Sequence, residues 1–313
     1  MMNYDQGSRS LGRKADQVDS RRVVAVISVF GAPRDLPDRA RALLSQVNDV
    51  VLVDDGSSSL APLGLNGDGL HSISLPENGG IAKALNVAIQ RARELEATHV
   101  LTLDQDSELL PGHVSRLIDL IDAAVSSGVR VAAGVPGVVG GAPVLRDSDG
   151  RPFDPIQSGQ VVPVETFEEM GGFTERLFID AVDSDFTVRA HTAGFEFVMD
   201  DELEMAHALG ELVPITVFGR QLVLAGRPRH VLYHSPMRTY YMVRNSRWLA
   251  RTYRDSARDW VRVRNMKLAE MVLGGSLLAP DRWKQLRAIR AGWKDALDDR
   301  LGKIPEDVLA LLR

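Results

Sequence analysis

The first half of the chain alternates short apolar runs with amphipathic segments of helical period. The run VVAVISV at residues 23–29 is almost continuously apolar and β-branched, which is typical of a strand covered on both faces in a parallel sheet. The predicted elements are a strand over 23–29, a helix over 35–47, strands over 49–53 and 71–75, a helix over 81–95, a strand beginning at 99 and a helix over 112–126. This order predicts an open α/β sheet, whose ligands bind beyond the carboxyl ends of the strands.

The pattern changes after residue 130. It becomes irregular and rich in glycine and proline up to a short apolar run at 161–164, and a helical region closes the chain from Tyr240 onward. We therefore predict a flexible tail over residues 1–21, an α/β domain over 22–250 and a basic helical extension over 251–313.

Charge is distributed unevenly along the chain. The formal net charge is only −5, but residues 1–226 hold 18 Lys and Arg against 33 Asp and Glu, whereas residues 227–313 hold 19 against 9. An acidic front favours a metal or another cationic ligand, and a basic back favours an anionic surface. We expect the two parts to face different partners.

The composition excludes sites that need cysteine and indicates where in the cell the protein is located. The chain has no cysteine, which excludes disulfides, thiolate zinc sites and thiol nucleophiles. The N-terminal residues are polar and lack the apolar stretch of a signal peptide, and the most apolar region, residues 123–145, is interrupted by Arg130, Pro136 and Pro143. We expect a cytoplasmic protein whose membrane contact, where it exists, is peripheral and on the inner face of the plasma membrane.

Acidic pairs follow two of the predicted strands. Asp54 and Asp55 follow the strand over 49–53, and Asp104 and Asp106 follow the strand that begins at 99, in the stretch HVLTLDQDSEL. Carboxylates at i and i+2 can converge on Mg²⁺ or Mn²⁺, and a diphosphate would supply further oxygen ligands. A solvated turn is the alternative. Because both pairs lie at strand ends, where an open sheet has its ligand crevice, the pattern favours a metal and diphosphate site.

Two common phosphate-binding signatures are absent. The first strand is followed by FGAPRDL and not by the GxGxxG turn of a dehydrogenase, and no GxxxxGK[ST] loop occurs. A metal-dependent phosphotransferase that uses the first Asp of a DxD pair as nucleophile stays open as an alternative, although such enzymes usually carry the pair on their first strand.

A glycine-rich helix start and an isolated histidine are further candidates for ligand binding. In ENGGIAKALN, residues 77–86, Asn78 and Gly79 open a helix whose free N–H groups can face an anion or a sugar. His207, in EMAHALG, is a candidate third metal ligand or phosphate contact. The alternatives are a plain helix entry and a core histidine.

An acidic segment supplies the candidate general base. GGFTERLFIDAVDSDF, residues 171–186, places Asp180, Asp183 and Asp185 among apolar side chains. A carboxylate in such surroundings can hold a proton more tightly than usual, which suits a general base. Capping of a helix start is the alternative for one of the three, but it is a strained explanation for all of them.

Six stretches, taken in order, resemble one known family. They are VDDGS (53–57), NGGIAKALN (78–86), LTLDQDS (101–107), GGF…LFIDAVDSDFTVRAHTAGF (171–195), MAHALG (205–210) and HSPMRTYYMVRN (234–245). Together they are similar to the inverting nucleotide-sugar glycosyltransferases of family two, and more narrowly to their bacterial rhamnosyltransferase branch. The resemblance implies the glycosyltransferase A fold, an open Rossmann-like mixed sheet flanked by helices, here with a C-terminal helical extension.

The resemblance also implies roles for individual residues. Asp183 matches the catalytic base, and Asp180 is its rival because Val182 stands where many relatives have Glu before the base. The other implied roles are nucleotide base and ribose contact for Asp54 or Asp55, donor pocket for Asn78 beside Gly79, metal and diphosphate for Asp104 and Asp106, metal or diphosphate for His207, and phosphate or acceptor contact for Arg238, Tyr241, Arg244 and Asn245. A further departure, Phe30 to Pro33 in place of the usual aromatic-Asn-Pro, leaves recognition of the donor base open.

The implied activity is transfer of L-rhamnose from dTDP-L-rhamnose to a lipid-linked saccharide in bacterial cell-surface polysaccharide synthesis, with Mg²⁺ or Mn²⁺ as cofactor. UDP-galactofuranose or a UDP-hexose is the alternative donor. A nucleic-acid-binding protein with a basic tail is the rival outside the enzymes, but the chain carries no recognised nucleic-acid module, so we expect no such partner.

The basic extension contains one conspicuous helical pattern. Between residues 282 and 297 the apolar positions Trp283, Leu286, Ile289, Trp293 and Leu297 recur at intervals of three or four, with Arg and Lys between them. Such a helix can lie at the surface of an anionic membrane. The alternative is that the Trp and Leu face packs on the catalytic domain or on the second subunit of a homodimer.

Overall fold

The structure, a computed structural model, describes residues 21–206, 211–217, 220–224, 226–279 and 281–313. The main-sheet strands are β1 Val23–Val29, β2 Asp49–Asp54, β3 Leu70–Ser74, β4 His99–Asp104, β5 Glu108–Leu109, β6 Val131–Val139, β7 Ala142–Pro143, β8 Gln160–Pro163 and β9 Glu196–Ala206. The hairpin strands are β10 Glu211–Pro214, β11 Thr216–Val217, β12 Arg220–Gln221, β13 Val223–Leu224, β14 Arg227–Pro228 and β15 His230–Tyr233. The α-helices are α1 Leu36–Leu43, α2 Ile81–Glu94, α3 His113–Ser126, α4 Val164–Met170, α5 Val182–Thr192, α6 Pro236–Thr252, α7 Arg258–Leu278, α8 Arg282–Leu297 and α9 Glu306–Leu312.

One mixed sheet forms the centre of the molecule. Its strand order is β3-β2-β1-β4-β8-β6-β9-β5, with β7 paired to β6. The first four strands are parallel, β8 runs antiparallel to both β4 and β6, and β9 runs parallel to β6. The open α/β sheet predicted from the order of elements is confirmed.

Two helical layers cover the sheet and explain the apolar runs of its strands. Val24 and Val26 of β1 pack with α2 on one face, whereas Ala25 and Ile27 pack with α1 and α3 on the other. Because successive side chains of a strand point to opposite faces, a strand covered on both sides must be apolar at every position.

The structure differs from the predicted elements mainly between residues 131 and 206. The segment expected to be irregular contains β6, whose residues are almost all buried. Pro136 lies where the pairing of β6 with β9 shifts register between Pro136 and Val138, and a bulge is a place where a strand tolerates a residue without an N–H. Because Pro136 and the neighbouring glycines interrupt the pattern that is typical of a strand, the sequence did not predict β6.

The C-terminal helices pack closely on one another. Buried residues of α8 face α6, and a Cβ added at Gly292 would lie 2.5 Å from the carbonyl oxygen of Tyr240, so this crossing requires glycine. The Tyr240 hydroxyl donates to Asp295 at 2.6 Å. The predicted boundary at residue 250 falls inside α6, which continues to Thr252. The predicted tail, residues 1–21, lies outside the described residues except for Arg21.

Helices that could cross a bilayer are absent from the described parts of the chain, because none combines sufficient length with sufficient apolar character.

Candidate active site

A cleft of about 810 Å³ opens at the carboxyl ends of the parallel strands. Its walls come from the ends of β1 and β4, the start of α2, the loops 153–158 and 178–184, and the helices α6 and α7. The register of the sheet places the acidic strand ends at this edge, because Asp54 lies opposite Val29 of β1 and Asp104 lies opposite Ser28. The structure brings together six of the predicted site residues in the cleft wall: Asn78, Asp104, Asp106, Asp180, Asp183 and Arg238.

Asp104 is the last residue of β4, and Asp106 lies in the turn that follows it. The Gln157 amide donates to Asp104 Oδ1 at 2.6 Å, and the Asp104 N–H donates to Ser158 Oγ at 3.0 Å. Loop 153–158 therefore holds the first carboxylate in place, while Asp106 is exposed. Gln157 had no sequence signal, since it lies in the region without periodicity.

The carboxylates at this turn are chemically suited to a hard divalent cation. Mg²⁺ is commonly held by one or two protein carboxylates together with the phosphates of a substrate. Within the described residues no group of three or more His, Asp or Glu side chains is placed to hold a metal ion, so a cation here would need oxygens from a ligand. The third predicted metal ligand, His207, lies outside the described residues.

The acidic pair after β2 is organised differently. Asp54 is completely buried and accepts hydrogen bonds from the N–H groups of Ser57, Ser59 and Leu60 at 2.5 to 2.9 Å, and from the hydroxyl of Ser57 at 2.7 Å. Burial by itself would raise the pKa of Asp54, but these hydrogen bonds outweigh it and hold the pKa below its usual value. The predicted contact of Asp54 with a nucleotide is therefore not supported, because its oxygens already stabilise the turn.

Asp55 ties this turn to the start of α2. Its two oxygens accept from the N–H groups of Gly79 and Gly80 at 2.7 and 2.8 Å. Burial raises the pKa of Asp55 in spite of these bonds. The Gly79 N–H was predicted to face a ligand, but it is occupied by this carboxylate. Asn78 lies in the cleft wall as expected.

The loop that carries the candidate bases has an unusual backbone. Phe178, Asp180 and Ala181 have φ angles of 69°, 62° and 62°, a left-handed conformation that costs a residue with a side chain about 1 kcal/mol or more. The loop ends at α5, whose first turn contains Asp183. Such a loop persists only where surrounding contacts hold it.

Those contacts come from the end of the YYMVRN motif. The Asn245 side-chain amide donates to the carbonyls of Leu177, Ile179 and Asp180 at 2.9, 2.8 and 2.8 Å. The Arg244 guanidinium donates to the Leu177 carbonyl at 3.0 Å and to that of Gly302 at 2.7 Å. These two side chains brace the loop from beneath.

Two predicted ligand contacts are corrected by this arrangement. Arg244 and Tyr241 are both completely buried, and neither lines the cleft. The Tyr241 ring stacks on Phe178 with centroids 5.2 Å apart, and its hydroxyl accepts from the Ile304 N–H at 2.7 Å. Both residues support the loop instead of touching phosphate or acceptor, which the sequence motif by itself could not reveal.

The two rival bases have different surroundings. The Asp180 carboxylate is paired with Arg238 Nε at 3.1 Å, and its side chain is 9% exposed. Burial raises the pKa of Asp180 although Arg238 opposes the shift. Asp183 also lines the cleft, and it accepts a hydrogen bond from the Ser184 N–H at 2.9 Å. Both carboxylates therefore line the cleft, and that of Asp180 is held by an arginine.

A further carboxylate in the cleft wall, Asp154, was not predicted from the sequence. Its Oδ2 accepts from Ser184 Oγ at 3.0 Å and lies 3.4 Å from Arg264 Nε, while its buried Oδ1 has no partner among the described residues. Burial raises the pKa of Asp154 to about 7, against the attraction of Arg264 and with the charge of Asp183 adding to the rise. The one signal in the sequence was an acid between apolar neighbours, Phe153 and Ile156.

The C-terminal extension contributes to the same cleft. Arg264, Lys267 and Leu268 of α7 line it, so the basic part of the chain meets the acidic part at this site. A separate groove of about 400 Å³ runs along α6 and α7, with Arg254, Arg258 and Arg262 among its walls.

Part of the chain is similar to known glycosyltransferases. Residues 24–163 match the family model described as Glycosyl transferase family 2. The dTDP-rhamnosyl transferase RfbF of Shigella flexneri is 28% identical over 209 residues, which make up 58% of this chain and 63% of that protein, so the match spans less than two thirds of the relative.

Two crystal structures of TarS from S. aureus show the same fold. The structure of residues 1–349 has a TM-score of 0.58 at 16% identity and covers 93% of this chain and 83% of that one. The complex of the same fragment with UDP-GlcNAc also gives 0.58 and 16%, covering 93% and 84%. The fold class predicted from the sequence is confirmed.

Proposed function

We propose that this chain, which carries a glycosyltransferase domain of family two over residues 24–163, transfers L-rhamnose from dTDP-L-rhamnose to a lipid-linked saccharide with inversion at the anomeric carbon. One observation carries the proposal: the side chains of Asp104, Asp106, Asp183 and Arg238 line the same cleft. The rhamnosyl donor is supported by the likeness to the Shigella protein. The saccharide acceptor is inferred from the resemblance of the sequence motifs.

Asp104 and Asp106 would hold Mg²⁺ or Mn²⁺ jointly with the diphosphate of the donor. A bound cation would offset the negative charge that grows on the departing nucleoside diphosphate. Loop 153–158 contributes by fixing Asp104 through the Gln157 amide, so that the carboxylate need not reorganise when the donor binds.

We assign deprotonation of the acceptor hydroxyl to Asp183. As the acceptor hydroxyl oxygen attacks the anomeric carbon, Asp183 removes its proton, and the bond from that carbon to the diphosphate oxygen breaks on the opposite face. A C–O bond thus forms while a C–O bond breaks, and the leaving group departs with its electron pair. Attack opposite to the leaving group gives inversion.

Asp154 and Arg264 contribute to the electrostatic surroundings of the proposed base, Asp183. The carboxylate of Asp154 is linked to the residue after Asp183 through the Ser184 hydroxyl, and Arg264 also contacts that hydroxyl at 3.1 Å. The positive charge of Arg264 limits the repulsion between the carboxylates of Asp154 and Asp183. We propose that this group keeps the start of α5 oriented toward the acceptor.

Donor assays test the proposal directly. The full chain is incubated with Mg²⁺ or Mn²⁺ and a panel of dTDP-L-rhamnose, UDP-galactofuranose, UDP-glucose and UDP-galactose, with and without saccharide acceptors, and release of the nucleoside diphosphate is measured. We expect release from dTDP-L-rhamnose to exceed that from the UDP sugars. Preference for a UDP sugar would replace the donor, and a covalent phosphorylated aspartate at residue 104 would instead indicate a phosphotransferase.

A further inference from the structure

Helix α8 faces the opposite way from an ordinary amphipathic helix. The residues that it buries are small or polar: Gln285, Ala288, Gly292, Asp295 and Ala296. Four of its large apolar residues face outward, with Trp283 68%, Leu286 41%, Trp293 51% and Leu297 49% exposed, while Ile289 is only partly exposed. A surface helix normally buries its apolar stripe against the core. The expectation that the Trp and Leu face packs on the catalytic domain is therefore wrong for these four residues.

The contacts on the inner side fix this orientation. Gly292 permits α8 to approach the Tyr240 carbonyl so closely that a Cβ would lie 2.5 Å from it. The Tyr240 hydroxyl donates to the buried Asp295 at 2.6 Å, and the Gln285 amide donates to the carbonyl of His234 at 2.8 Å. Rotating the helix to bury its tryptophans would break these bonds and place bulky rings where only glycine fits.

The exposed apolar residues form a continuous stripe that includes a positive charge. Trp283, Leu286, Arg290, Trp293 and Leu297 follow one another at intervals of three or four residues, so they lie along one face, and we call this set the α8 stripe. Further exposed cations flank it, namely Arg282, Arg287 and Lys294. The guanidinium carbon of Arg247 also lies 5.1 Å from the centre of the Trp293 ring.

We propose that the α8 stripe binds the surface of an anionic lipid bilayer. Tryptophan prefers the depth of the headgroups, where its ring is in an apolar setting and its N–H stays wet, while the flanking Arg and Lys side chains reach lipid phosphates. A second copy of the chain is a less favourable occupant, because a two-fold contact through this face would bring the cations Arg287, Arg290 and Lys294 close to the same set of cations on the other copy. This inference goes beyond the proposed transfer reaction.

Vesicle co-sedimentation of the whole 313-residue chain tests the inference. The probes are vesicles of phosphatidylglycerol mixed with phosphatidylcholine, and vesicles of phosphatidylcholine alone. We expect binding to the anionic vesicles at low salt and release at high salt, because salt screens the attraction between cations and headgroups. The assay contains no sugar donor and no acceptor, so its result does not depend on the proposed enzymatic activity.

Two variants separate the apolar from the ionic contribution. Trp283→Ala with Trp293→Ala should lower the partition coefficient by roughly tenfold or more, since each ring contributes substantial apolar area. Arg287→Gln with Arg290→Gln should lower it by about 30-fold, because each basic residue near such a surface contributes about 1 kcal/mol. Val125→Ala with Leu110→Ala is the matched control: both residues are more than half exposed elsewhere on the surface, and their removal should leave binding unchanged.

Two outcomes would overturn the inference. One is failure of the wild-type protein to sediment with anionic vesicles at low salt. The other is a concentration-dependent dimer in sedimentation velocity that the double tryptophan variant converts to monomer, which would assign the α8 stripe to a second copy. Circular dichroism of every variant would establish that the helices remain folded.

Discussion

The carboxyl ends of strands β2 and β4 are alike in sequence, but their aspartates have different surroundings. Both finish an apolar run with a pair of aspartates. At β2 the first carboxylate is completely buried and accepts hydrogen bonds from a surrounding turn. At β4 the carboxylates line an open cleft, and loop 153–158 reaches across to hold the first of them. An acidic strand end thus marks the edge of the sheet where a ligand can bind, but the hydrogen bonds around it decide whether it binds the ligand or shapes the fold.

The same contrast occurs within the first turns of α5. Asp183 lines the cleft, whereas Asp185 is completely buried and accepts from Thr174, Arg189 and Tyr253 at 2.7, 3.0 and 2.6 Å. Two acids two residues apart on one helix therefore have separate tasks. Substitutions at cleft carboxylates should change activity, and substitutions at enclosed carboxylates should change stability.

The largest effect is expected at Asp183. Asp183→Asn should lower turnover about 10²- to 10⁴-fold, the range for loss of a general base, with donor binding largely retained. Steady-state kinetics and calorimetry with the nucleoside diphosphate measure the two quantities. Asp180→Asn is the companion variant, and if it abolishes turnover while Asp183→Asn stays near wild type, the base is Asp180.

At the end of β4 we expect a loss of affinity and little loss of stability. Asp104→Ala or Asp106→Ala should weaken metal-dependent binding of the donor diphosphate by about 10- to 100-fold, the scale seen when groups around a bound metal are removed. Calorimetric titration with and without Mn²⁺ measures the change. Equal affinity of wild type and both variants in the presence of Mn²⁺ would remove the metal from this turn.

At the end of β2 we expect a loss of stability and little loss of donor affinity. Asp54→Asn should reduce the free energy of unfolding by about 2 kcal/mol, since charge-assisted hydrogen bonds to buried N–H groups are lost, while donor affinity changes little. Because the pKa of Asp54 is lowered in the folded state, its contribution is complete above the unfolded pKa near 4 and is lost as the pH falls through the folded value.

Denaturant unfolding at neutral and acidic pH tests this assignment. The difference between wild type and Asp54→Asn should be largest near neutral pH and should shrink toward pH 3. A variant with wild-type stability and weakened donor binding would instead place Asp54 in the nucleotide site.

The smallest effect is expected at Asn245, which holds the loop that carries the candidate bases. Asn245→Ala removes the donor shared by three loop carbonyls, so the loop should relax from its left-handed backbone and misplace the bases. We expect kcat to fall about tenfold with KM for the donor nearly unchanged. Tyr240→Phe is the control, since it breaks a buried bond of the same helix that does not touch the loop. Equal losses of stability with kcat intact in both variants would show that Asn245 is structural only.

Much of the fold could be predicted because its signals are local. The strands at 23–29 and 49–53 and the helices at 81–95 and 112–126 each carry their period within a short window, and the structure contains all four. β6 could not be found this way, because Pro136 and the surrounding glycines interrupt the period. The roles of the loop with Asp154 and Gln157 could not be found either, because they depend on residues 30 and 53 positions away.

The sequence by itself determined the main strands and helices of residues 23–126, the acidic edge of the sheet and the basic, tryptophan-containing pattern of the last helices, since all of these are properties of neighbouring residues. Only the tertiary structure decided which carboxylates face the cleft, that Arg244 and Asn245 support a strained loop, and that α8 presents its tryptophans outward. The reason is that burial and hydrogen bonding are contacts between distant parts of the chain, such as Asn245 with Leu177 or Gly292 with Tyr240. No pattern within one segment encodes them.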